Sequence, residues 1–160
     1  MATAVANLNL NHVVLTAVAR DDLADEGAGH FARCVESIHQ RCPNTTTEVL
    51  PADFHARVEC IQTLCDAQPE LYNHNIETVE RITPAIRPQG DYRRSIDVLR
   101  IVNDIAPHIV TKSGLMVGLG ETRAELSATL ADLRAVDCDV LTIGQYLQPS
   151  DKHAPVERTR

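Results

Sequence analysis

One stretch decides the fold of this chain: Lys112-Ser113-Gly114-Leu115-Met116-Val117-Gly118-Leu119-Gly120-Glu121. The apolar residues that precede it begin a buried strand, and its three glycines mark a place where the backbone comes close to something else. Thr122, with Glu125 three residues later, predicts a capped helix start. A strand, a glycine-rich turn and a helix N-terminus favour a small polar ligand, because free amides and the positive end of the helix dipole point into the turn. A tight connection without a ligand is the alternative that this pattern leaves open.

Four further runs outside this stretch have the composition of β-strands. They are His12–Val18, Thr46–Leu50, Leu71–Ile76 and Val140–Leu147. Apolar residues at helical spacing predict the intervening helices. These helices include Phe31–Cys42, Val58–Cys65, a short segment near Val79, a longer helix capped by Asp91 and ending before Pro107, and a last helix with Leu126 to Leu133 on its inner face; residues 1–10 are expected to end another helix.

Alternating strands and helices predict a parallel sheet made of βαβ units. Every predicted strand ends in polar residues, which is typical of a barrel, where the strand ends converge on one site. A doubly wound sheet would concentrate function at a single switch point. We therefore predict an α/β fold forming part of a barrel. Because a closed eight-unit barrel needs about 250 residues, residues 1–160 are expected to form a single, incomplete barrel domain of about five parallel strands.

The composition excludes several classes of protein. The chain has 160 residues, of which 44% are hydrophobic and 23% charged, and a formal net charge of −7. No apolar run approaches the roughly 20 residues needed to cross a bilayer. The scattered Lys and Arg residues and the acidic balance argue against a nucleic-acid partner. The first residues lack a signal-peptide pattern, so a cytoplasmic location is expected, or an organellar matrix if the source is eukaryotic.

The five cysteines are odd in number and lack the spacing of a disulfide framework. We expect them to be reduced. Cys60 and Cys65 fall on different sides of a predicted helix and cannot share one metal ion from it. They are expected to be small core residues.

Several segments together resemble the lipoyl synthase family of radical S-adenosylmethionine enzymes, and the resemblance runs collinearly along nearly the whole chain. The segments are Val14–Leu23, Gly27–Phe31, His74–Val79, Arg87-Pro88, Tyr92–Ser95, Thr111–Thr122 and Leu141–Ser150.

This resemblance implies a partial (β/α)6 barrel. In the family, a [4Fe–4S] cluster cleaves S-adenosylmethionine to a radical that removes hydrogen from carbons 6 and 8 of a protein-bound octanoyl chain. A second [4Fe–4S] cluster supplies the two sulfur atoms of the lipoyl product. The implied partners are octanoylated lipoyl-carrier domains, which are 2-oxoacid dehydrogenase E2 and the glycine cleavage H protein, and a reductant such as ferredoxin or flavodoxin.

The resemblance also implies which residues bind S-adenosylmethionine. The turn from Gly118 to Glu121 matches the family's segment beside the adenine, and Asn75 and Glu77 match the strand near the ribose. The segment of Arg20 and Asp22 matches the region near the amino-acid end. With the strand-end residues Lys112 and Gln145, the predicted cofactor-binding set is Arg20, Asp22, Asn75, Glu77, Lys112, Gly118, Glu121 and Gln145. No catalytic residue and no metal ligand is assigned.

The chain departs from the family's pattern at the residues that hold iron. Family members carry Cys-x3-Cys-x2-Cys for the radical cluster and Cys-x4-Cys-x5-Cys for the auxiliary cluster, and this sequence has neither. It also lacks the Arg-Ser-Ser-Tyr segment whose serine completes the auxiliary site. The five cysteines present do not replace these ligands, since a cluster needs convergent thiolates. We expect that the 160 residues alone do not make lipoate, and that open barrel edges reduce their solubility.

Two other functions remain open from the sequence. A desolvated Lys112 could form a Schiff base, as in an aldolase-like barrel. Alternatively, the chain is a non-catalytic remnant that binds a nucleotide or a carrier domain. His74 is either a ligand or base, or a hydrogen-bonded residue at the rim. Of the adjacent Asp21 and Asp22, at most one can point into the site.

Arg93 and Arg94 are left with two interpretations. They lie either on a solvated helix face or against the acidic carrier domain. The sequence does not separate these two interpretations.

Overall fold

The computed structural model describes residues 1–157. Strands and helices alternate along the chain, with one short 3-10 turn at Phe54–Ala56. The five strands are β1 (His12–Thr16), β2 (Thr46–Leu50), β3 (Leu71–Asn73), β4 (Val110–Val117) and β5 (Val140–Gln145). The six helices are α1 (Ala2–Asn7), α2 (Ala28–Arg41), α3 (Val58–Cys65), α4 (Thr83–Ile86), α5 (Tyr92–Ile105) and α6 (Arg123–Ala135).

The sheet has all five strands parallel, in the order β1-β2-β3-β4-β5. Each strand therefore lies beside its neighbour in sequence, and the order never reverses. A doubly wound sheet would have a reversal point, whereas a barrel adds each unit to the same side. The predicted α/β barrel-type arrangement is confirmed.

Three strands end earlier in the structure than the sequence pattern predicts. In the structure β1 ends at Thr16, β3 at Asn73 and β5 at Gln145. Beyond β3 the pairing with β4 is interrupted and resumes only at Glu77, which forms an isolated parallel bridge with Leu115. Glu77 has a φ of 65°, a left-handed conformation that does not continue a strand. The short helix expected near Val79 begins instead at Thr83.

The helices cover one face of the sheet and form its core. Strand residues such as Val49 and Tyr72 pack there against α2, α3 and α5, and both are fully buried. Cys60 and Cys65 belong to the same core, and all five cysteines are free, as predicted.

Two predicted helix caps are confirmed. The Asp91 side chain accepts a hydrogen bond from the Arg94 amide, and Thr122 with Glu125 forms a reciprocal capping box. These caps satisfy amides that would otherwise have no partner at the start of a helix.

The opposite face of the sheet carries a polar layer. By strand alternation, Glu48 and Lys112 point away from the helices. Each Glu48 carboxylate oxygen lies 3.0 Å from Lys112 Nζ, and one of them also accepts a hydrogen bond from Asn73 Nδ2 at 2.8 Å. His12 Nε2 lies 3.5 Å from the other oxygen. The layer links β1, β2, β3 and β4 through one carboxylate.

The helices cover the β5 end of the sheet less than the rest of it. Helix α6 buries only Thr129 and Leu133, whereas α5 buries seven residues. Ile143 of β5 remains 56% exposed. Across residues 1–157, every helix is too short or too polar to span a lipid bilayer.

Candidate active site at the carboxyl ends of the strands

Two adjoining cavities lie where β1, β2 and β3 end. The smaller has a volume of about 300 Å³ and the larger about 370 Å³, sizes at the low end of the range for small-molecule sites. They share Ala19, Ala52 and Arg87. The smaller cavity is lined by Thr16, Ala17, Ala19, Leu50, Pro51, Ala52, His74, Asn75, Glu77 and Arg87. The strand ends thus meet around one concave region.

Asn75 and Glu77, two of the predicted site residues, line the smaller cavity. The Asn75 side chain lies against Gly114 of β4, where an added Cβ atom would come within 2.6 Å of Asn75 Oδ1. The absent side chain at position 114 therefore leaves room for this amide. Arg87 Nη1 donates to the Asn75 carbonyl oxygen at 3.2 Å and holds the backbone of the segment.

His74 is not a rim residue, because only 2% of it is exposed. Its Nε2 lies 3.2 Å from Ser95 Oγ on α5. Burial lowers the pKa of His74 to about 4, since the apolar surroundings disfavour the charged imidazolium. His74 is therefore neutral at pH 7. Strand alternation could have indicated this position, since His74 follows Tyr72 by two residues and faces the same helices.

Asp53 and Arg94 form the wall of the larger cavity. Arg94 Nε donates to Asp53 Oδ2 at 2.7 Å, and the His55 amide donates to Asp53 Oδ1 at 3.0 Å. Burial favours the protonated acid, but these two hydrogen bonds and the Arg94 charge outweigh it and lower the pKa of Asp53. Arg94 thus serves this cavity and does not lie on a solvated face. Arg93 is exposed and pairs with Glu80 and Asp132.

Arg20 and Asp22 lie in the exposed segment that follows β1. They pair with each other through two hydrogen bonds of 2.7 Å. Their neighbour Asp21, rather than either of them, lines the larger cavity. The expectation that only one of the two adjacent aspartates faces the site agrees with this arrangement.

The glycine-rich turn after β4 is closed by its own glutamate. The Glu121 carboxylate accepts hydrogen bonds from the Gly118 amide at 2.9 and 3.0 Å and from the Leu119 amide at 2.9 Å. The prediction of free amides was wrong for these two residues. Arg81 Nη2 donates to the Gly120 carbonyl at 3.0 Å, and the Glu157 amide donates to the Gly118 carbonyl at 2.9 Å.

Gln145 lies beside this turn, because it is in register with Val117, the residue before Gly118. Its Nε2 donates to the Tyr146 carbonyl at 3.0 Å. The predicted residues of β4 and β5 are therefore neighbours at the same edge of the sheet as the two cavities.

Lys112 lies near the start of β4, below the strand ends, in the ion pair with Glu48. Glu48 is 3% exposed. Although burial favours its protonated form, hydrogen bonds from Lys112 and Asn73 lower the pKa of Glu48 and keep it ionised. A Schiff base needs a neutral amine, and an ammonium held by both oxygens of a buried carboxylate opposes this. The sequence did not indicate a role for Glu48, because its partner Lys112 is 64 residues away in the chain.

The side chains of residues 1–157 do not fit an iron–sulfur cluster. Such clusters need convergent thiolates, whereas Cys60 and Cys65 are embedded in the core and the other cysteines lie on other elements. One group of potential metal ligands occurs in this range, formed by Asp21, Glu26 and His55. Glu26 is already bound to His55 at 3.0 Å and to Arg57 at 3.3 Å. This group therefore does not supply the thiolate ligands that an iron–sulfur cluster needs.

The cavities suit a small molecule that is partly polar and partly apolar. Their walls combine alanine and proline surfaces with Asn75, Glu77, Asp53 and two guanidinium groups. An apolar lining with a few placed polar groups is the usual composition of a small-molecule site.

Comparisons with known proteins give the class of this chain. Residues 1–133 match the family described as the radical SAM superfamily. The chain belongs to the radical SAM superfamily. In three dimensions it is similar to methylornithine synthase, with a TM-score of 0.70 and 13% identity over 94% of this chain and 42% of that protein. At this identity the likeness bears on the fold alone, and it agrees with the arrangement of strands described above.

Closer relatives share one particular name. The chain is 52% identical to the lipoyl synthase of Caldicellulosiruptor bescii over 156 residues, which cover 98% of this chain and 54% of that protein. It is 51% identical to the lipoyl synthase of Staphylococcus epidermidis over 158 residues, covering 99% of this chain and 52% of the relative. The chain spans about half the length of these relatives.

Proposed function

We propose that residues 1–160 are the incomplete barrel domain of a lipoyl synthase. The complete enzyme inserts two sulfur atoms at carbons 6 and 8 of a protein-bound octanoyl chain. The observation that carries the proposal is the 52% identity to a lipoyl synthase along 98% of the chain. The cavities at the strand ends support it, because barrel enzymes place their active sites there.

We assign the cavities to S-adenosylmethionine. Asn75 and Glu77 line the smaller cavity and are proposed to contact the ribose. Gly118 and Glu121 are proposed to border the adenine, with Glu121 fixing the shape of the turn through its hydrogen bonds to the turn amides. A rigid turn is useful here because a preformed site loses less entropy when it binds.

The remaining predicted residues take more distant parts in this proposal. Arg20 and Asp22 stay assigned to the amino-acid end of the cofactor, next to Asp21 on the cavity wall. Gln145 stays assigned to the adenine side, beside the glycine-rich turn. Lys112 contacts Glu48, so its proposed part is to hold together the polar face of the sheet below the cofactor.

The family's two [4Fe–4S] clusters would supply the radical chemistry and the sulfur, and no step is assigned through them because this chain lacks their ligands. The proposed partners are octanoylated carrier domains, namely 2-oxoacid dehydrogenase E2 and the glycine cleavage H protein, together with ferredoxin or flavodoxin as the reductant. The proposed location is the cytoplasm, or an organellar matrix in a eukaryote. Similarity to named lipoyl synthases is the support for each of these.

A chimera tests the function directly. The matching segment of the Caldicellulosiruptor bescii lipoyl synthase is replaced by this chain, and lipoyl formation on an octanoyl peptide is measured after anaerobic reconstitution. We expect lipoyl product from the chimera and none from the 160 residues alone. A chimera that folds and binds its clusters but makes no product would contradict the proposal, as would product from the 160 residues alone.

Two variants of the chimera provide the matched comparison. Asn75→Ala, at the cavity, is expected to weaken binding of S-adenosylmethionine about ten-fold, which is the effect of one lost hydrogen bond of about 1.4 kcal/mol. Arg100→Ala removes an exposed side chain of α5 that, within residues 1–157, pairs only with Asp97 and Asp104 on the same helix. Its binding of the cofactor should be unchanged.

A further inference from the structure

The larger cavity is lined by five charged or titratable side chains, and three of them already have partners. Arg94 Nε donates to Asp53 Oδ2 at 2.7 Å, and Nδ1 of His55 lies 3.0 Å from a carboxylate oxygen outside the cavity lining. The other two side chains are Asp21 and Arg87. Once the existing pairs are set aside, the wall of this cavity is left with one side chain of each sign.

Arg87 carries the positive charge, and its surroundings fix its position. The Gly90 amide donates to the Arg87 carbonyl at 2.8 Å and closes a turn at the end of α4. A Cβ atom added at Gly90 would lie 3.0 Å from Arg87 Nε, so the glycine leaves room for the side chain. Within residues 1–157 the guanidinium donates to the Asn75 carbonyl and forms no ion pair with a carboxylate. Since a guanidinium has several N–H donors, most of them remain for an anion in the cavity.

Asp21 carries the negative charge and lies in the exposed segment after β1. The adjacent Arg20 is engaged elsewhere, because its guanidinium forms two hydrogen bonds of 2.7 Å with Asp22. A carboxylate oxygen of Asp21 lies within 4.8 Å of a His55 ring nitrogen, yet no hydrogen bond or ion pair joins the two in the part of the chain that the structure describes. Asp21 therefore presents an uncompensated negative charge at the cavity.

Asp21 and Arg87 line the same cavity without forming an ion pair with each other. A gap therefore separates the two charges. A molecule that carries an ammonium group and a carboxylate a few bonds apart could fill this gap with each of its charges beside the opposite one. An α-amino acid at neutral pH has this arrangement, whereas a neutral nucleoside has neither charge.

We propose that the larger cavity binds the amino-acid group of S-adenosylmethionine, with Arg87 donating to its carboxylate and Asp21 accepting from its ammonium group. This inference rests on the proposed function, which places the cofactor in the two cavities with its ribose in the smaller one. Because Arg87 lines both cavities, it lies where the ribose and the amino-acid group join. Arg20 and Asp22, which neutralise each other, then border this group without supplying its countercharges.

Ligands that differ in their charged groups test this pairing. S-adenosylmethionine carries both the ammonium group and the carboxylate, its decarboxylated analogue lacks the carboxylate, and methylthioadenosine lacks the whole amino-acid group. Binding of each to the 160-residue chain is measured by NMR titration, which detects even millimolar affinities. Arg87→Gln should weaken binding of S-adenosylmethionine about ten-fold and leave the other two ligands unchanged. Asp21→Asn should weaken binding of S-adenosylmethionine and of the decarboxylated analogue about three-fold, a smaller effect because water screens an exposed carboxylate.

Matched controls separate a direct contact from a structural or long-range effect. Arg100→Gln and Asp104→Asn remove the same charges from an exposed pair on α5, and neither should change the affinity for any of the ligands. If these controls weaken binding as much as the cavity variants, the effect is one of net charge and the proposal fails. If Arg87→Gln weakens all the ligands equally, the side chain only supports the Asn75 carbonyl, and the proposal also fails.

Failure of this inference and failure of the proposed function give different results. Binding of S-adenosylmethionine that neither Arg87→Gln nor Asp21→Asn changes would leave the cofactor site in place and reject the roles of both side chains. If the decarboxylated analogue, but not methylthioadenosine, depends on Glu77 instead of Asp21, the ammonium group lies in the smaller cavity and the assignment of Asp21 is wrong. An absence of amide shifts at the cavity residues with every ligand at millimolar concentration would reject both the inference and the proposed function.

Discussion

The glycine-rich turn after β4 and the cavities after β1 to β3 lie at the same edge of the sheet but differ in how their polar groups are satisfied. In the turn, the Gly118 and Leu119 amides both donate to the carboxylate of Glu121. At the cavities, by contrast, the side chains of Asn75 and Glu77 line open space. The glycine-rich turn is therefore a rigid wall, and the polar side chains that face a cavity follow the neighbouring strand β3.

The largest expected change in stability comes from substituting Glu121, whose carboxylate closes the glycine-rich turn. Glu121→Ala removes the acceptor of two buried amides, and unsatisfied buried donors cost about 1–3 kcal/mol each. We expect the free energy of unfolding to fall by about 3 kcal/mol, measured by urea denaturation. Glu36→Ala, at an exposed glutamate of α2, should change it by less than about 0.5 kcal/mol. Equal effects of the two substitutions would show that the turn does not depend on its glutamate.

The second largest expected change in stability concerns His74, beside the smaller cavity, and depends on pH. The pKa of His74 is about 4 in the folded chain against an ordinary value of 6.5, so the unfolded chain binds more protons between these values. Stability is therefore lost as the pH falls from 6.5 toward 4, by about 2 kcal/mol between pH 7 and pH 5. His74→Asn should remove this part of the pH dependence. The measurement is urea unfolding of both proteins at several pH values, and parallel curves would contradict it.

A smaller effect is expected at the helix that follows the turn. Thr122→Ala removes the side chain that accepts from the Glu125 amide, and loss of such a cap costs about 1 kcal/mol. Thermal or urea unfolding measures it. Ser37→Ala is the matched control and should have little effect, because this exposed serine donates to the carbonyl four residues earlier in its helix.

Gly114→Ala is expected to have the smallest effect on stability. It also tests the contact between β4, which leads into the glycine-rich turn, and Asn75 at the smaller cavity. The new methyl group would overlap Asn75 Oδ1, but the Asn75 side chain can rotate away, so the stability should change by less than about 1 kcal/mol. Binding of S-adenosylmethionine should weaken about ten-fold through the displaced amide. Gly144→Ala is the control, because no atom in the described part of the chain lies within 4 Å of its added methyl group. Equal binding by both variants would exclude Asn75 from the site.

Features set by nearby residues could be predicted from the sequence. The strand Thr46–Leu50 and the caps at Asp91 and Thr122 depend on short-range patterns, and the structure contains all three. The partners of Glu48 and Asp53 lie far along the chain, and no local pattern specifies them. Glu121 shows a second limit, since its residue type does not reveal whether its carboxylate turns toward a ligand or toward its own backbone.

The consecutive order of the strands has a consequence for local opening. In the described sheet each strand pairs with its neighbours in sequence, so one end can detach without breaking the hydrogen bonds between the other strands. The β5 end is held by a helix that buries few residues, while β2 and β3 sit between paired strands above the main core. Amide protons should therefore exchange with solvent first in β5 and last in β2 and β3. The local stability of the sheet is thus expected to decrease from β2 and β3 toward β5, on the side of the glycine-rich turn.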